Sequence, residues 1–250
     1  MMKQMKRIMG LLAMAAFLVS PSLVFASGQT GVYVAPKFVY GYTLMEKTKD
    51  DWSYGSSIVK NKNMSDHAWG GALALGYDFN KKVQIPLRAE LECAIFSEVS
   101  DKKSAWYSSS PTYDDLNTIK QKLQIQTLFV NAYYDFHNST AFTPYLGGGL
   151  GLAFIRAKGN YGWDSFNGGV PTGASESISM GAKSTVNFAW NIGAGAAYAI
   201  NNNISLDMGY RFAGLGGAKS KWNDDWLASG RIKTKNVYMH QVMLGARFTF

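Results

Sequence analysis

Residues 232–250 read IKTKNVYMHQVMLGARFTF and end on Phe250. Counting back from the end in steps of two gives Phe248, Ala246, Leu244 and Val242. Between them lie Thr249, Arg247, Gly245, Met243 and Gln241. One set is apolar and the other mostly small or polar, the period of a β-strand with two unlike faces. A water-soluble chain seldom finishes on so long an amphipathic strand with an aromatic last residue.

The opposite end is consistent with export. Residues 1–26 carry a positive start (Lys3, Lys6, Arg7), an apolar stretch over 8–19, and Val24-Phe25-Ala26 as a small-residue cleavage site. That is the pattern of a secretory leader, too short in its apolar part for a membrane anchor. Removing it lowers the formal charge from +8 to +5, because three cations go with it. The remaining Lys and Arg are scattered, which speaks against nucleic-acid binding and for a solvated rim or contact with lipid phosphates. The only cysteine is Cys93, so no internal disulfide forms, and it lies far from the cleavage site, so the N-terminus is not lipid-modified. No apolar run after Ala26 reaches the roughly 20 residues of a spanning helix. Two options remain for the exported part, 27–250: a soluble periplasmic β-protein, or a transmembrane barrel.

Alternating segments recur at 31–44, 67–79, 83–99, 118–136, 141–158, 182–200, 204–215 and 232–250. Each exceeds the roughly 9–11 residues that a tilted membrane strand needs. Tight turns at 80–82, 137–140 and 201–203 alternate with long polar stretches at 45–66, 100–117, 159–181 and 216–231. Short turns on one side and long loops on the other are the layout of an outer-membrane barrel. The expected fold is all-β: an eight-stranded antiparallel up-and-down transmembrane β-barrel with four long extracellular loops.

Parity assigns the faces. Leu87, Leu91 and Ile95 alternate with Arg88, Glu90 and Glu92; Leu206, Met208, Tyr210 and Phe212 alternate with Asp207, Gly209 and Arg211. The large apolar set is the lipid face, because a midplane Arg in lipid costs about 2–4 kcal/mol. The lumen then holds Lys37, Asp78, Arg88, Glu90, Glu92, Asp207, Arg211 and Arg247. Both signs are present, and buried charges have to be paired, so a polar network filling the interior is expected. In the fourth strand Leu123 and Ile125 break the even parity of Leu128, Val130, Tyr134 and Phe136, which predicts a β-bulge near Gln126–Thr127. Tyr and Phe at the strand ends, among them Tyr40, Tyr42, Phe142, Tyr198 and Tyr238, fit interfacial girdles.

Four stretches carry a family resemblance: 130–136 (VNAYYDF), 143–151 (TPYLGGGLG), 206–212 (LDMGYRF) and 244–250 (LGARFTF). With these the chain resembles the opacity-type, small eight-stranded outer-membrane β-barrel family of porin-like surface antigens. The resemblance implies exposed loops that act as antigens and in some members as adhesins. It also implies a C-terminal aromatic read by the barrel-assembly machinery, and outer-membrane lipid and lipopolysaccharide as surroundings.

The long stretches concentrate aromatics: Trp52 and Tyr54; Trp106, Tyr107 and Tyr113; Tyr161 and Trp163; Trp222 and Trp226. Exposed Trp and Tyr favour interfaces, so these residues form a candidate recognition surface for a host-cell or other surface ligand. The other reading is that the loops fold over the barrel mouth, or that strands extend beyond the membrane and the aromatics pack there. Gly147–Gly151 has no following helix and fits a crowded lumen better than a nucleotide loop. His67, His137 and His240 are too scattered for a metal site, and no cofactor is implied. The reading is therefore a non-enzymatic, adhesin-like surface protein. A small diffusion channel is the alternative, and a lipid-modifying enzyme built on His240 comes after it.

Overall fold

The computed structural model describes residues 30–52, 59–108, 112–224 and 229–250. Residues 1–26, expected to be a secretory leader, lie outside the described residues. The strands are β1 (Val32–Trp52), β2 (Lys62–Asp78), β3 (Leu87–Phe96), β4 (Val99–Ser108), β5 (Tyr113–Asp135), β6 (Phe142–Asn167), β7 (Val170–Ala199), β8 (Ile204–Gly214), β9 (Ala218–Lys219), β10 (Asn223–Asp224), β11 (Ser229–Thr234) and β12 (Asn236–Thr249). A one-turn helix, α1 (Asn80–Val83), sits in the first short turn. Eight of the strands close a ring in the order β1–β2–β3–β5–β6–β7–β8–β12, with every neighbour antiparallel. Closure comes from pairing the first strand with the last, from Tyr33↔Thr249 up to Glu46↔Asn236. A bilayer tolerates sheet only in this form, because a closed ring leaves no unpaired edge.

The short turns follow local chemistry. Asn138 Oδ1 accepts from the Thr140 N–H at 2.8 Å, and Asn201 Oδ1 accepts from the N–H groups of Asn203 and Ile204 at 2.9 and 2.8 Å. Both are Asx turns. The first turn differs from expectation. The third strand begins at Leu87 rather than at 83, because Val83 donates to Phe79 within α1 and Pro86 has no N–H for a ladder.

The larger difference lies at the opposite end. Much of the four stretches read as long loops is strand. β5 and β6 remain paired from Asp135↔Tyr145 to Tyr113↔Asn167 without a shift. β4 continues the line of β3 along β5, and β11 continues β12 along β1 in the same register, Lys49↔Lys233 following Glu46↔Asn236. The wall therefore stands well above the segment that faces lipid. The predicted bulge at Gln126–Thr127 is absent, since Ile125↔Ile155, Gln126↔Phe154 and Thr127↔Ala153 are in continuous register. The irregularity falls instead between β3 and β4, where pairing steps from Ile95↔Gln126 to Val99↔Leu123.

Leu123 and Ile125 never change face; the surroundings change. Both are buried inside the ring. With Met45, Met64, Val99, Ile119, Ile155, Met180, Leu215, Ile232, Val237 and Met239 they make one apolar core in the distal half. Each such side chain stabilises by about 1.5–3 kcal/mol on burial. Outside the ring, the apolar belt comprises Leu75, Leu91, Ile95, Val130, Leu150, Phe188, Ile192, Met208, Val242 and Leu244, all exposed.

Candidate functional site

The interior has two layers. In the proximal layer Lys37 on β1 lies between two carboxylates, with Nζ 2.7 Å from Glu90 Oε2 and 2.8 Å from Glu92 Oε2. Arg211 on β8 donates through NH1 to Glu92 at 2.6 Å and through Nε to Gln241 at 2.7 Å. Arg88 on β3 donates to Asp135 at 2.6 Å, and the Tyr33 hydroxyl to Glu90 at 2.8 Å. Arg247 and Asp207 pair at 3.4 Å. Rings cover the cations: the Arg88 guanidinium lies 4.9 Å from the centroids of both Tyr133 and Tyr145, and that of Arg211 lies 5.5 Å from Phe129. Lys37, Arg88, Arg211 and Arg247 match Glu90, Glu92, Asp135 and Asp207 in number, so these ion pairs balance in charge.

Of the lumen residues singled out from the sequence, seven join these ion pairs. The eighth, Asp78, instead accepts the Asn80 N–H at 2.9 Å at the start of the first turn. Asp135, Tyr33, Gln241, Tyr133 and Tyr145 were missed. Even parity for Tyr134 and Phe136 already places Tyr133 and Asp135 inside. The remaining space between Lys37, Arg88, Tyr133, Tyr145 and Asp207 is a cavity of about 10 Å³, the room of one water. Glycines make this filling possible. A Cβ on Gly149 would lie 2.0 Å from Asn131 Oδ1, and one on Gly76 would lie 2.2 Å from the Tyr33 ring. The glycine run is thus a lumen wall.

The distal ends separate the aromatic candidates. Trp106, Tyr107 and Tyr113, on either side of the β4–β5 hairpin tip, are 61%, 50% and 49% exposed, and Trp106 meets Phe166 edge-on at 5.0 Å. Tyr161 instead points inward, is buried and donates to Asn117 Oδ1. Trp163 packs beside it at 5.9 Å, against the apolar core. For these two, packing inside the barrel replaces recognition, because β6 carries odd residues inward. Trp222 is half-buried, stacked under Arg231 at 5.2 Å, and Arg231 pairs with Asp51 at 2.9 Å. Tyr54, Trp226 and the side chain of Trp52 lie outside the described residues.

A ring belt marks the level between lipid and water. His67, Tyr42, His240 and Phe212 occupy one row across β2, β1, β12 and β8. Tyr42 lies 5.1 Å from His67, and Phe212 lies 4.9 Å from His240. Tyr40 bonds His67 Nδ1 at 2.8 Å, and Tyr210 bonds His240 Nδ1 at 2.6 Å. His240 is thereby engaged as an amphipathic girdle residue.

Comparison with known proteins agrees with this geometry. The family described as "Outer membrane protein beta-barrel domain" matches residues 9–249. The "Outer membrane protein PagN" of Salmonella typhimurium is 32% identical, over 90% of this chain and 92% of its own. A Rickettsia bellii protein named "Putative adhesin" is 25% identical, over 98% of this chain and 99% of its own. The crystal structure of Neisserial surface protein A is similar with a TM-score of 0.46 at 20% identity, covering 90% of this chain and 100% of that one.

Proposed function

This chain belongs to the outer membrane protein beta-barrel domain family and lies in the outer membrane of a Gram-negative bacterium, and on that premise we propose that it is an adhesin-type surface protein. It engages a host-cell or other surface ligand through the distal ends of its extended strands. The observation that carries this reading is the β4–β5 tip, where Trp106, Tyr107 and Tyr113 are held out in water on a rigid ladder. Large aromatics on a stiff support offer contact area at low entropic cost, and they dominate binding energy at interfaces. The Rickettsia relative's name points the same way.

A diffusion channel draws support from the charged proximal lumen. Against it stand the ion-paired layer, its one-water cavity and the apolar core stacked above it. The reading is also non-enzymatic, since His240 is spent on Tyr210 and Phe212 in the girdle. The test is adhesion of a non-adherent Gram-negative host that displays the chain. Replacing Trp106, Tyr107 and Tyr113 together by Ser is expected to abolish the gained adhesion at unchanged surface level. Full adhesion by that variant would refute the assignment.

A further inference from the structure

The outward face of β4, β5 and β6 carries cations where the apolar belt ends. On β5 the outward residues run Val130, Leu128, Gln126, Gln124, Lys122 and Lys120; on β6 they run Leu150, Leu152, Phe154, Arg156 and Lys158; on β4 Lys102 shares the face. Lys102, Lys120 and Lys158 are exposed, and Lys122 and Arg156 half-buried. The register sets like charges directly opposite one another, with Lys102↔Lys120 on β4 and β5 and Lys122↔Lys158 on β5 and β6. Directly opposed residues lie about 5 Å apart at Cβ, and like charges placed so are destabilising. A carboxylate on the same face offsets this at Lys122, which Glu98 meets at 2.8 Å, and Asp114 and Asp164 share the face nearer the strand tips. The nearby Asp101 is taken by Lys103 at 3.4 Å and by the Ser65 N–H at 2.9 Å. Ser104 and Thr118 bond each other at 2.7 Å in the next outward row beyond Lys102 and Lys120 and add hydroxyls to the patch.

Height narrows the choice of counter-anion. On a strand tilted by about 40°, the rise from the girdle residue Phe142 to Arg156 is roughly 35 Å, against an apolar band of about 25 Å. The patch therefore begins roughly one headgroup layer above the hydrocarbon and continues the lipid-facing surface without a step. The tip residues Trp106 and Tyr113 lie further out along the same strands.

We propose that Lys102, Lys120, Lys122, Arg156 and Lys158 form a binding site for the phosphates of the outer-leaflet glycolipid headgroup, the diphosphorylated glucosamine lipid of lipopolysaccharide. The ligand's acyl chains lie along Leu128, Leu152 and Phe154 below, and its phosphates sit between the opposed lysines. The site rests on the outer-membrane location and not on adhesion. A variant at Trp106 that loses adhesion keeps it.

The test uses the full-length folded barrel in mixed micelles with EDTA, which removes bridging cations. The probes are diphosphorylated lipid A and the same lipid with both phosphates removed. The expected result is at least tenfold tighter binding of the phosphorylated lipid, weakened by salt. That preference is lost in Lys102→Gln/Lys120→Gln/Lys158→Gln and retained in the matching triple Arg variant. In micelles free of lipid A the Gln variant unfolds at the same temperature as the parent or higher, because a repulsion has gone; with lipid A the order reverses. Equal binding of both lipids by the parent, or undiminished binding by the Gln variant, would overturn the proposal. A Gln variant that loses only a soluble sulfated oligosaccharide and keeps lipid A would overturn it too, and assign the patch to adhesion.

Discussion

Glu92 holds the proximal layer together, and its replacement by Leu is the sharpest test of a dry lumen. Its carboxylate is fully buried and receives two cations, Arg211 at 2.6 Å and Lys37 at 2.8 Å. A leucine side chain there would leave Lys37 with Glu90 and Arg211 with Gln241 and the Phe129 ring. Two positive charges would then face each other across the site with one counter-charge fewer. Breaking a buried pair from one side costs about 3–5 kcal/mol, whereas replacing both partners by apolar groups of similar volume is often neutral. Glu92→Leu is thus expected to lose about 3–5 kcal/mol. Combining it with Arg211→Met is expected to recover most of that loss, giving a coupling of about 3 kcal/mol. Urea titration in phospholipid vesicles measures both, followed by tryptophan fluorescence and by the gel shift between folded and heated barrel. A single variant within about 0.5 kcal/mol of the parent would mean that water screens the pair. The parent in a planar bilayer should then carry a steady current, and the case for a sealed lumen would fall.

Three further outcomes follow from the packing. Gly149→Val is expected to prevent folding, since even a Cβ would lie 2.0 Å from Asn131 Oδ1 and 2.7 Å from the Val130 carbonyl; a normal heat-modifiable band would refute it. Ile232→Ala is expected to cost about 2–4 kcal/mol, because Ile232 is fully buried, and a Cβ on the facing Gly159 would come within 2.9 Å of its Cδ1; a change below about 0.5 kcal/mol in the same titration would show that β11 does not cap the core. Deleting Phe250 removes three contacts at the seam, its N–H to the Val32 carbonyl at 2.9 Å and its carbonyl to the Thr30 N–H at 2.6 Å and the Thr30 hydroxyl at 2.7 Å, and is expected to lower the folded fraction recovered from outer membranes, read on gels against the parent at equal expression.

Strand number, closure and the identity of the two faces were legible from parity wherever the bilayer supplies contrast. On β3 the alternation of Leu91 with Glu90 and Glu92 leaves one solution, and the structure has it. Above the lipid the same rule misleads. There Lys120, Lys122 and Gln124 point out while Ile119, Leu123 and Ile125 point in, so polarity reverses while the geometric phase is kept. A scan that equates apolar with outward has to invent a bulge at that point, and it reads polar strand as loop. The candidate site split along the same line. The lumen ions lie where contrast is high and were found by parity. Tyr161 and Trp163 lie where contrast reverses, and there the sequence leaves surface recognition and packing above the membrane both open.

That reversal explains why the interior is layered. Within the bilayer the outward face has to be apolar, so hydrophobic burial gives no preference for apolar groups inside. The lumen can then be filled by ion pairs, rings and glycines, which the low-dielectric shell makes strong when each charge is matched. Above the bilayer the outward face meets water, and only inward burial stabilises. Accordingly Met45, Met64, Ile119, Leu123, Ile155, Met180 and Ile232 gather there. The distal half is a water-soluble type of β-structure standing on a membrane type, joined at Leu123 and Ile125 with β5 and β6 in unbroken register. Because its stability comes from inside, its outer surface and tips are free to carry lysines at the headgroup level and aromatics at the far end. Substitutions such as Trp106→Ser or Lys120→Gln should therefore change binding while leaving the fold within about 0.5 kcal/mol.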